Sequence, residues 1–159
     1  MTSTNKPFEL SAEGGAALLI RLSLGVLFFF AGLGKFLGEG GASAWSQGMS
    51  SGFSESYLPS FMVLPFAYVL PYVEVALGLV LVAGLFTQLT FLIAGLLLIA
   101  LALGMVVQAQ YGVAANNFNY VLMAAVGLWF SSNDNPYSAD RIFRLDERSV
   151  NDDYHSAQR

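Results

Sequence analysis

From Val75 to Asn133 the chain contains no Asp, Glu, Lys or Arg. At about 20 residues per crossing, so long an uncharged and largely apolar run is enough to traverse a bilayer twice. The rest of the 159-residue sequence agrees: 55% is hydrophobic and only 11% charged, against about 25% in an average soluble domain. No ten-residue segment alternates polar and apolar, so membrane strands are not expected. The sequence predicts an all-α integral membrane protein.

Four spans emerge, from about 15 to 36, 60 to 84, 88 to 108 and 113 to 131. The link "GLFTQ" between the second and third is short enough to make them antiparallel neighbours, with Gly84 as the helix terminator. Between the first and second, Trp45, Met49, Phe53 and Tyr57 recur at every fourth position, one face of a short amphipathic helix capped by Ser43. It reads as an interfacial helix or as a lid over a pocket. A second short helix is expected after the last span, with Ser138 as cap and Ile142, Phe143 and Leu145 on its apolar side. The organisation expected is an N-terminal tail over 1–14, a four-helix membrane bundle with its following interfacial helix over 15–145, and a polar tail over 146–159. Lys6 is followed by Glu9 and Glu13 and the first apolar run is long, so it reads as a retained helix rather than a signal peptide. Lys6, Arg141, Arg144 and Arg148 flank the first and last spans, which predicts both termini in the cytoplasm.

Several chemistries are excluded by composition. There is no Cys, and the one His is His155 near the C-terminus. Disulfide exchange, thiolate metal sites, iron–sulfur clusters and bis-His haem ligation by this chain are therefore ruled out. The net charge of −4 offers no basic surface for nucleic acid.

Charge inside the spans is the functional clue, because ionisable groups at membrane depth are costly and mark sites or packing devices. On a helical wheel Arg21, Gly25, Gly32 and Lys35 share one face of the first span, and Glu74 and Gly78 share one face of the second. Glycine there allows a neighbouring helix to approach closely. Comparing depths from the helix ends pairs Arg21 with Glu74. Lys35, nearer the other end, either snorkels to the interface or donates to a ligand oxygen. Pro65 and Pro71 should loosen the second span beside Tyr68 and Tyr72. Asn116, Asn117 and Asn119 open the fourth span, as helix-capping polarity or as the rim of a pocket. The candidate ligand set is Lys35, Tyr68, Tyr72, Trp45 and Asn117, around an apolar slot with few polar groups.

The pattern Arg-x3-Gly-x6-Gly-x2-Lys in "RLSLGVLFFFAGLGK", the segment "PYVEVALGLVLVAGLFTQLT" and the tail "NPYSADRIF" resemble the DoxX family, over about 21–143. The resemblance implies a small four-helix protein of a bacterial or archaeal plasma membrane, and Arg21, Lys35 and Glu74 match the family's charged positions. Some members are the membrane subunit of a thiosulfate:quinone oxidoreductase, which implies a subunit of a larger, quinone-linked redox complex. The cysteines of some relatives are absent here. A non-catalytic scaffold or assembly subunit is the alternative reading. A small-solute carrier is a third, against which stands the lack of paired broken helices or an inverted repeat.

Overall fold

In the computed structural model, which describes residues 12–132, the chain is all helix: α1 (Ala12–Leu37), α2 (Gly41–Gly52), α3 (Ser60–Ala83), α4 (Thr87–Val107) and α5 (Tyr111–Ser132). Four of them, α1, α3, α4 and α5, are long and apolar enough to cross a membrane. The expected helix near Ile142, the C-terminal tail and residues 1–11 of the N-terminal tail lie outside the described residues, while residues 12–14 already belong to α1.

The short helix α2 exists, but its start differs from expectation. Its N-cap is Gly40 in the left-handed region (φ 74°), not Ser43, which lies inside the first turn. The reversal after α1 needs a positive φ at Gly40 and again at Gly41, and glycine adopts it without strain. Tyr57, expected on the α2 face, lies beyond the helix and is exposed. At its far end Phe53 is buried and its ring lies over Gly104 of α4.

Two tight antiparallel pairs make the bundle, α1 with α3 and α4 with α5, joined mainly through α1 and α5. The short link makes α3 and α4 neighbours in space, yet they touch only sparingly. Glycines set the α1–α3 register. A Cβ on Gly25 would lie 2.8 Å from Val82 Cγ2, one on Gly32 would lie 2.8 Å from the Pro71 carbonyl, and one on Gly78 would enter the Phe29 backbone. So Gly25, Gly32 and Gly78 all serve close approach within this chain. The packed core sits towards one end of the bundle and includes Leu24, Phe28, Leu81, Phe91, Ala94, Leu98 and Ala124.

Depth follows from the same contacts. Arg21 lies against Gly84, and Gly127 lies against Ile20 and Phe91, so these residues share a level. At 1.5 Å per residue, α1, α4 and α5 all end about 24 Å above it, at Leu37, Val107 and Tyr111. Thr87 and Ser132 lie about 6–8 Å below it, so α4 and α5 each span about 30 Å, the thickness of a bilayer's hydrocarbon.

Candidate functional site

Lys35 is two residues from the end of α1, and its side chain leans back along the helix towards the bundle. Its Nζ donates to Glu74 Oε2 at 2.5 Å, an ion pair whose side chains are 14% and 4% exposed. The ammonium has three donors. A second goes to the Ala31 carbonyl at 3.1 Å, and the Trp45 ring of α2 covers the cation, its centroid 4.7 Å away. Three helices therefore meet at one charge pair: α1 supplies the cation, α3 the anion and α2 the aromatic cover.

This corrects the pairing expected from sequence. Glu74 belongs to Lys35, not to Arg21, whose guanidinium lies beside Gly84, ten residues further along α3. Ten helical residues are about 15 Å, more than a side chain bridges. The expectation aligned the ends of the first two spans, whereas α1 begins at Ala12 and overshoots α3, bringing Arg21 level with the α3 terminus. Arginine suits that place, because a helix C-terminus carries partial negative charge. Gly84 ends α3 in a Schellman arrangement, with its own amide on Leu81 O at 3.1 Å and that of Leu85 on Val80 O at 3.2 Å.

The expected ligand residues are gathered only in part. Tyr72 packs edge-on against Phe36, centroids 4.9 Å apart, beside the ion pair but with an exposed ring. Tyr68 is also exposed, and its hydroxyl accepts a hydrogen bond from Gln47 Nε2 of α2 at 3.4 Å. Asn117 stands on α5, half-buried, about 15 Å above the Arg21 level and so as deep as Glu74. No hydrogen bond joins it to Lys35.

Sequence reasoning missed Ser46. Pro71 has no amide proton, so the carbonyl of Ala67, four residues earlier, loses its helical donor. The fully buried Ser46 hydroxyl of α2 lies 2.9 Å from that oxygen and 2.6 Å from Ala42 O of its own helix, its one proton shared between the two carbonyls. A proline inside a span and a serine in the preceding amphipathic helix were the available signal. The bond ties α2 over the ion pair.

Chemically, the site offers a charge-neutral cation–carboxylate pair, an indole face and a rim of phenol and amide groups. Among the described residues no cluster of His, Cys, Asp or Glu could hold a metal ion.

The family model described as "Methylamine utilisation protein MauE" matches residues 14–116, about two thirds of the chain. This protein belongs to the MauE family. MauE is related to the DoxX superfamily, so the resemblance seen in the sequence holds at the level of that superfamily. The match takes in α1 to α4 and the start of α5, and with them Arg21, Lys35, Trp45 and Glu74. No curated protein and no solved structure matches the chain significantly. This MauE-family chain is thus a multi-pass membrane protein, with the Lys35–Glu74 pair beneath α2 as its most distinctive internal feature.

Proposed function

We propose that this chain is a membrane subunit of a larger redox assembly, and that it receives a quinone headgroup at the Lys35–Glu74 pair. The observation that carries the reading is Lys35 Nζ held between the Glu74 carboxylate and the Trp45 ring. A quinone presents a flat ring and two carbonyl oxygens. Indole gives the ring a stacking face, and the ammonium gives an oxygen a charge-assisted donor. Reduction to quinol takes two electrons and two protons. A partner subunit supplies the electrons, since the chain has no Cys and its one His is His155. The acid–base pair serves the protons. The family description, methylamine utilisation, supports an assembly in that metabolism. The location is the plasma membrane of a bacterium or archaeon with both termini cytoplasmic, so the α2 end faces outwards.

The test is to purify the full chain from its native membrane in mild detergent, then measure quinone in its lipid extract and identify co-purifying proteins. Near-stoichiometric quinone, lost in a folded Lys35→Met variant, together with a redox partner, supports the reading. A solitary protein without quinone, or quinone retained by Lys35→Met, overturns it.

A scaffold role is the second reading, favoured by the place of the ion pair in the α1–α3 seam between Gly32 and Gly78. On that reading Lys35→Met combined with Glu74→Leu leaves both assembly and activity intact.

A further inference from the structure

Asn116 and Asn119 are exposed on α5, and neither side chain has a hydrogen-bond partner among the described residues. Their depth makes this unusual. They lie about 16 and 12 Å above the Arg21 level, between the two ends of the apolar span of α5, with Asn119 near its middle. Hydrocarbon offers a carboxamide no acceptor or donor, and polar groups at such depth find partners within protein.

Direction matters as much as depth. At about 100° per residue, the buried Ala114, Ala124, Gly127 and Ser131 mark the face of α5 turned to its own bundle. Asn119 points about 140° away from the middle of that face, and Asn116 about 80°. Gly112 lies between them on the wheel, and a Cβ there would meet nothing within 4 Å. Val126, 44% exposed, continues the strip towards the other end. Of the four spans, α5 is also the least covered by the rest of the chain.

We propose that this strip is the interface between two copies of the chain, with Asn116 and Asn119 hydrogen-bonding across it. Two copies inserted the same way and related by a two-fold axis along the membrane normal place each residue at the depth of its counterpart. A carboxamide is both donor and acceptor, so it can pair with itself at equal depth, which a charged side chain could not. Gly112 lets the two helix backbones approach at the α2 end. The proposal is independent of the quinone reading.

The chain has no Cys, so single cysteines report proximity cleanly. Gly112→Cys and Val126→Cys, oxidised in membrane vesicles, should give disulfide dimers, while Leu92→Cys on the exposed face of α4 should not. In lipid nanodiscs, Asn116→Leu combined with Asn119→Leu should weaken self-association about tenfold, and Asn119→Gln should retain it. Both leucines face lipid, so folding should be unharmed, which thermal unfolding of the monomer checks. A monomeric parent chain, equal cross-linking at all three positions, or a Leu/Leu variant that associates as well as the parent overturns the proposal. So does a single copy bound through this strip to a different membrane protein.

Discussion

Replacing Lys35 by Met keeps the length of the stem and removes the charge, stranding the Glu74 carboxylate at 4% exposure. Breaking a buried pair from one side costs about 3–5 kcal/mol, because the remaining charge has nothing to solvate it. Lys35→Met should therefore lose about 3–5 kcal/mol. Glu74→Gln should cost less, about 1–2 kcal/mol, since Lys35 keeps the Ala31 carbonyl, the Trp45 ring and an amide oxygen in place of the carboxylate. Lys35→Met with Glu74→Leu should return to within about 1 kcal/mol of the parent. Unfolding by SDS from mixed micelles, followed through Trp45 and Trp129 fluorescence, measures all three. Equal losses in the two single variants, or a double variant that loses as much as Lys35→Met alone, would refute the assignment of the pair.

Two further outcomes follow from the seam and from α2. Gly78→Ala drives a methyl into the Phe29 backbone and should cost about 2–3 kcal/mol, whereas Gly34→Ala, whose Cβ meets nothing within 4 Å, should change stability by less than about 0.5 kcal/mol in the same titration. Ser46→Ala leaves the buried Ala67 oxygen without a donor, a loss of about 1–3 kcal/mol, and Pro71→Ala should recover part of it by restoring the amide; an additive double variant in hydrogen exchange and unfolding would show that the two are not linked.

The uncharged run from Val75 to Asn133 and the spacing of glycines and charges determined, without any structure, that this chain is a multi-span helical membrane protein. Hydrocarbon leaves so few options to a backbone that composition and length carry the architecture. The same reasoning reached α2 through its aromatic spacing, and Lys35, Glu74 and Trp45 as residues of interest. It could not determine which charge meets which. That depends on how far one helix slides along another, and periodicity records the face of a helix but not its offset. Only packing decided it: Gly25 against Val82, Gly32 against Pro71 and Gly78 against Phe29 set the slide, and that slide took Glu74 from Arg21 to Lys35. Ser46 was hidden for the same kind of reason. Its importance comes from an oxygen that Pro71 leaves bare on a different helix, and only the fold brings the two within 2.9 Å.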